Sequence, residues 1–142
     1  MLNLIKKSAV ALAMTVLLVP QLSQAQLTEI TNANAESLLK QSKTPVLFLF
    51  YADFCGYCKE LEAVLVKRQP ELSGKILLAK SDVVANQIGL PAVPVLILFD
   101  GGVAIDTVVG MNLEEMERLI VFASKRGSVP LRPSPKAKEA RN

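Results

Sequence analysis

Apolar positions in this chain recur with two different periods. Val46 to Tyr51 (VLFLFY) and Val93 to Phe99 (VPVLILF) are apolar without alternation, the pattern of strands covered on both faces. Leu27 to Thr31 and Lys75 to Lys80 read as further short strands, and Val103 to Val109 as the return partner of Val93 to Phe99 across the hairpin signal Asp100-Gly101-Gly102. Helical spacing governs three other stretches. Ala33 to Ser42 has helix-forming composition and ends at Thr44-Pro45. Gly56 to about Lys67 places Leu61, Val64 and Leu65 on one face. Past Gly110, Asn112 caps a last helix with Glu115 three places on, and Leu113, Met116, Leu119, Ile120 and Ala123 line one side. Residues 82–91 leave room for at most two helical turns before Pro91. The order β-α-β-α-β-(short α)-β-β-α predicts an α/β fold: a central mixed sheet flanked by helices on both faces.

The two ends follow other rules. Lys6 and Lys7 precede the uncharged apolar run Ala9 to Val19, Pro20 breaks it, and Ser23 and Ala25 set small side chains at −3 and −1 of a cleavage point. Residues 1–25 are therefore expected to be a cleaved signal peptide. An eleven-residue helix would span roughly 16 Å, too little for a hydrocarbon core of about 30 Å. The mature chain, from Gln26, is expected to be soluble in an oxidising compartment. Residues 127–142 carry three prolines and scattered charge, the composition of a disordered basic tail. That leaves residues 26–126 as one domain.

Charge sharpens this division. Of the net +3, the leader holds two lysines, residues 26–124 hold eight basic and twelve acidic residues, and Lys125 to Asn142 hold six basic and one acidic. A body of net negative charge is a poor phosphate binder, so no nucleic-acid partner is expected. The chain has no histidine and two cysteines. Imidazole-based catalysis and four-thiolate or imidazole metal sites are excluded, and no metal or cofactor is expected.

The chemistry rests on Cys55-Gly56-Tyr57-Cys58, placed between a buried strand and the start of a helix. Unpaired N–H groups and the helix dipole favour a thiolate at Cys55, and two intervening residues let Cys58 close a small ring on it. A substrate disulfide attacked by Cys55 gives a mixed disulfide that Cys58 resolves. A zinc half-site lacks further ligands of the usual kind. A structural disulfide constrains little chain entropy in so short a loop, yet it stays open as an alternative, in which the chain is a non-enzymatic interaction module.

The segment Tyr51-Ala52-Asp53-Phe54-Cys55-Gly56-Tyr57-Cys58-Lys59 resembles the active-site segment of the thioredoxin family. Ala92-Val93-Pro94 opening an apolar strand, then Asp100-Gly101-Gly102 and Val109-Gly110 before a final helix, continue the likeness over nearly all of residues 26–124. The resemblance implies a thioredoxin fold and a monomeric thiol–disulfide oxidoreductase acting on disulfide-containing proteins. It implies that Cys55 is the exposed nucleophile, Cys58 the buried resolving thiol and Pro94 a cis-proline beside them. Val93 would offer its backbone to an extended substrate strand, and Phe54 and Tyr57 would flank the site as apolar contacts. Gly56-Tyr57 is similar to the dipeptide of periplasmic disulfide isomerases, whose dimerisation domain has no counterpart in this length.

The departures point to direction. Where the family's cytoplasmic reductases carry a buried aspartate, six residues before the first cysteine, this chain has Leu49, although Lys80 fills the place of that aspartate's companion lysine. Cys58-Lys59-Glu60-Leu61-Glu62 is similar to the periplasmic carboxy-terminal domain of the transmembrane disulfide reductase. Glu62, one helical turn after Cys58, is the candidate proton shuttle, its charge raising the thiol pKa values; the alternative is a solvated surface carboxylate. A reductant or narrow-specificity exchanger, kept reduced by a membrane thiol electron donor, is the resulting expectation.

Overall fold

The computed structural model describes residues 26–126; the expected leader at 1–25 and tail at 127–142 lie outside the described residues. Eight elements follow in order: β1 (Thr28–Glu29), α1 (Ala35–Gln41), β2 (Val46–Tyr51), α2 (Gly56–Leu72), β3 (Leu77–Asp82), β4 (Val95–Asp100), β5 (Val103–Val109) and α3 (Leu113–Arg126). The five strands form one sheet in the order β1-β3-β2-β4-β5. β3 runs parallel to β1 and β2, whereas β4 is antiparallel to both β2 and β5.

β2 is the central strand, which explains its unbroken apolar run. Its alternate residues enter two different cores. Leu47 and Leu49 join Leu78, Leu96 and Leu98 beneath α2 and α3, which supply Leu61, Leu65, Leu72, Met116, Leu119, Ile120 and Ala123. Val46, Phe48 and Phe50 face the other way with Ile30, Ala79 and Val95, and there Leu38 and Leu39 of α1 pack on them. The rings of Phe48 and Phe50 stack at 4.4 Å between centroids. Helices therefore lie on both faces of a mixed sheet, as the pattern predicted. Among the described residues, no helix is long and apolar enough to cross a membrane.

Local chemistry accounts for most boundaries. The β4–β5 hairpin turns through Gly101 and Gly102 at φ of 58° and 81°, left-handed values that a two-residue hairpin demands at both positions and that glycine adopts without strain. The Asn112 side chain accepts the Glu115 N–H at 3.1 Å and caps α3 as expected. Leu113, however, is exposed rather than on the buried stripe.

Other boundaries differ from the sequence expectation. The first strand shrinks to two residues and α1 starts two residues later. α2 runs past Lys67, through Pro70, to Leu72: a proline in a last turn removes a single ladder donor, and burial of Leu72 anchors the end. β3 is displaced two residues towards the carboxyl end because Lys75 and Ile76 donate back to Leu72 O in the turn that closes α2.

The short helix allowed at 82–91 does not form. Asp82 Oδ1 takes the N–H groups of Val84 and Ala85 at 2.7 and 3.1 Å. Gln87 stands at φ 53° and Ile88 N–H closes back on Val83 O, so the connector is a chain of turns.

Candidate active site

Register brings three segments to one end of the sheet. Tyr51, the last residue of β2, pairs with Asp82, the last of β3, while Phe50 pairs with Val95, the first of β4. The chain leaving β2 towards the cysteines, the connector leaving β3 and the Val93-Pro94 entry to β4 therefore share that edge. The carboxyl ends of parallel strands are where open α/β sheets place their ligands.

Cys55 and Cys58 are joined as a disulfide with their Cα atoms 5.2 Å apart. Cys55 is the N-cap of α2, and its Sγ accepts the backbone N–H of Cys58 at 3.1 Å. A donor aimed at that sulfur from a helix amino terminus stabilises a thiolate there once the bridge is reduced. Both residues belong to the α1-side apolar cluster, with Cys55 retaining 8% of its surface and Cys58 1%. The expected asymmetry holds only in part: Cys55 is the more accessible, but it too is largely covered. Gly56 opens α2 with nothing within 4 Å of where a Cβ would lie.

The Val93–Pro94 peptide is cis. Pro94 O accepts Gly110 N–H at 2.8 Å, tying the entry of β4 to the exit of β5. Val93 lies outside the ladder, which begins at Val95, and none of the described backbone hydrogen bonds uses it. Its N–H and C=O are thus free for an incoming strand. Phe54 and Tyr57 stand 81% and 64% exposed beside the cysteines, so they do not serve as core packing.

Glu62 is not a freely solvated carboxylate. Its Oε1 accepts Lys80 Nζ at 2.6 Å, and Glu29 Oε2 stands 3.6 Å from the same ammonium. The Tyr51 hydroxyl donates to Glu29 Oε1 at 3.2 Å, and the Lys80 ammonium lies 5.0 Å over the Tyr51 ring. Burial tends to lower the Lys80 pKa, but the hydrogen bond and charge of Glu62, with Glu29 behind it, hold it above its ordinary value. Burial and the charge of Glu29 push the Tyr51 hydroxyl well above the tyrosine range. In register, Leu49 pairs with Lys80, so the lysine finds its carboxylate on α2 rather than on β2. The sequence reading missed Glu29 and the Tyr51 hydroxyl. Its only available signal was a charged residue in a strand paired with that of Lys80.

A groove of about 600 Å³ opens between Phe54, Val93 and the turns of residues 83–92; neither cysteine lines it. Of this lining the sequence reading named Phe54 and Val93 but not the residues of the turns at 83–92.

Comparison with known proteins agrees with this geometry. The thioredoxin family model matches residues 26–124. A thioredoxin of Haemophilus influenzae is 34% identical over 91 residues, 61% of this chain and 85% of its own. A protein disulfide-isomerase A6 homolog of Caenorhabditis elegans is 37% identical over 82 residues, 54% of this chain and 19% of its own. Oxidised mitochondrial thioredoxin 3 of Saccharomyces cerevisiae superposes with a TM-score of 0.59 at 26% identity, covering 68% of this chain and 94% of that one. A Malassezia sympodialis thioredoxin gives a TM-score of 0.61 at 26% identity over 70% of this chain and 94% of that one. With the same fold and a cysteine pair bridged at the mouth of α2, this chain belongs to the thioredoxin family and is a thiol–disulfide oxidoreductase.

Proposed function

We propose that the mature chain works in the periplasm as a monomeric reductant or narrow-specificity exchanger of protein disulfides through its Cys-Gly-Tyr-Cys motif, and that a membrane thiol donor keeps it reduced. The observation that carries the exchange step is the Cys58 N–H directed at Cys55 Sγ, which favours that sulfur as the attacking thiolate.

In the reducing direction the Cys55 thiolate attacks one sulfur of the substrate disulfide. That S–S bond breaks, one substrate thiolate leaves, and a mixed disulfide forms. Cys58, once deprotonated, attacks Cys55 Sγ; the mixed bond breaks, the second substrate thiolate leaves, and the 55–58 bridge remains. Two electrons pass to the substrate, whose two thiolates take up two protons. A dithiol of the donor then returns the pair to its reduced form. Glu62, one turn along α2 from Cys58, is the proposed acceptor of the Cys58 proton, its carboxylate kept in place by Lys80. Phe54, Gly56 and Tyr57 form the exposed rim that meets the substrate, and Val93 pairs with its main chain.

Insulin reduction with dithiothreitol, together with a redox titration of the Cys55–Cys58 pair, tests the reading. Turnover with a potential between about −270 and −120 mV is expected. A far more negative potential without turnover assigns the bridge to structure instead. Glu62→Gln is expected to shift the pH profile of reduction; an unchanged profile removes Glu62 from the proton path.

A further inference from the structure

The end of α2 opposite the cysteines carries an unanswered acceptor. Gln69 Oε1 is the one buried side-chain oxygen or nitrogen among the described residues without a hydrogen-bond partner. A carboxamide oxygen held away from water is costly to leave unpaired. The other half of the same carboxamide points to a donor. Gln69 Nε2 donates to Gln26 O at 3.0 Å. A carbonyl only accepts, so the amide nitrogen must face Gln26 and the amide oxygen lies on the adjoining side.

Gln26 is held at this end by more than that bond. The next residue, Leu27, is buried in the core beneath α2 and α3, with Leu65 and Leu72 of α2 in the same cluster. Gln26 N is attached to the same Cα as the carbonyl that Gln69 holds, and rotation about ψ carries it towards the carboxamide. Charge at this corner favours a cation. The last turn of α2 has no basic residue, although its carbonyls form the negative end of the helix dipole. Arg68 is shared by Glu71 and Glu117, one cation between two carboxylates. Lys67 and Lys75, which flank the turn, are exposed.

Resting on the processing after Ala25 that the mature chain above requires, we propose that the carboxyl end of α2 is a docking site for the chain's own α-ammonium. Hydrolysis of the Ala25–Gln26 peptide by one water leaves a carboxylate on Ala25 and an ammonium on Gln26. That ammonium donates to Gln69 Oε1, while the Gln26 carbonyl keeps Gln69 Nε2. The precursor has a neutral amide in that place and no charge to offer the helix end. Removal of the leader therefore stabilises the helix whose opposite end holds Cys55 and Cys58.

Secretion of the full chain with its leader, followed by intact mass, first locates the amino terminus. A start at Gln26 is expected; any other start overturns the processing reading together with this site. Acylation of the terminal amine by a succinimidyl ester at neutral pH, read by peptide mass, then probes the docked ammonium. Gln69→Leu is expected to label about fivefold faster than wild type, the loss of one hydrogen bond, and Gln69→Glu more slowly than wild type. In urea melts Gln69→Leu should lower the folding constant about fivefold in the chain starting at Gln26. In a chain made to start at Ala25, where the charge is displaced by one residue, the same substitution should cost less than about twofold. Equal labelling of wild type and Gln69→Leu, or an equal stability loss at both lengths, overturns the docking site while the start at Gln26 stands. Where Gln69→Leu does not fold, Gln69→Glu decides alone, and labelling at least as fast as wild type overturns the site.

Discussion

The two faces of the sheet obey opposite rules. On the face beneath α2 and α3, apolar side chains are closed off from water, and charge lies partly buried beside them, with Lys80 and Glu62 only 20% and 27% exposed. On the α1 face the connector runs as turns, and apolar side chains stand in water, Phe54 at 81% and Val84 at 61%. Scattered exposed apolar residues are ordinary on any surface, but here they border the one reactive bond. The larger buried cluster thus lies under α2 and α3, while the α1 face leaves Phe54 and Val84 in water. The connector between β3 and β4, a chain of turns instead of a helix, lies on that more open face, where Val83, Ile88 and Leu90 pack into the α1-side cluster.

Substitutions on the two faces should therefore separate stability from exchange. Leu65 is fully buried in the larger core, so Leu65→Ala is expected to lower unfolding free energy by about 2–5 kcal/mol in urea melts. A loss below about 1 kcal/mol would mean that this face is not the stabilising one.

The ion pair on the same face should be read out at alkaline pH. Tyr51 and Lys80 both titrate above their ordinary values of 10.0 and 10.5 in the folded chain. A raised folded pKa contributes stability that is complete below the unfolded value and is lost as pH rises through the folded one. Melts of the wild type should therefore hold to about pH 10 and weaken above it, and Tyr51→Phe should weaken less steeply. Equal slopes would detach Tyr51 from the Glu29–Lys80–Glu62 cluster.

The smallest stability change belongs to the open face. Phe54→Ala should leave the urea midpoint within about 0.5 kcal/mol of wild type, while KM for protein disulfides rises. A large stability loss there would erase the contrast between the faces.

Much of the reactive centre was legible beforehand. The cysteine pair after a buried strand and its place at a helix start are local patterns and lie where they predicted, whereas the strand expected to open at Val93 begins at Val95, just past the cis-proline. Glu62 was legible as a helical neighbour of Cys58. Its partner was not, because Lys80 reaches it across the gap between β3 and α2. The connector was misread for a related reason: the side chain of Asp82 competes for the backbone donors that a helix would have used.

The sequence by itself determined which segments are buried and where a reactive thiol meets a helix amino terminus. Hydrophobic periods, turn glycines and a cysteine spacing act over a few residues, so they are written in consecutive positions. Tertiary structure alone decided that Glu29 and Glu62 share Lys80, that Asn32 braces Asn86 across 54 positions, and that Gln87 overlooks an uncharged groove. Those contacts depend on which strand lies beside which, and strand order is settled by packing both faces of the sheet at once.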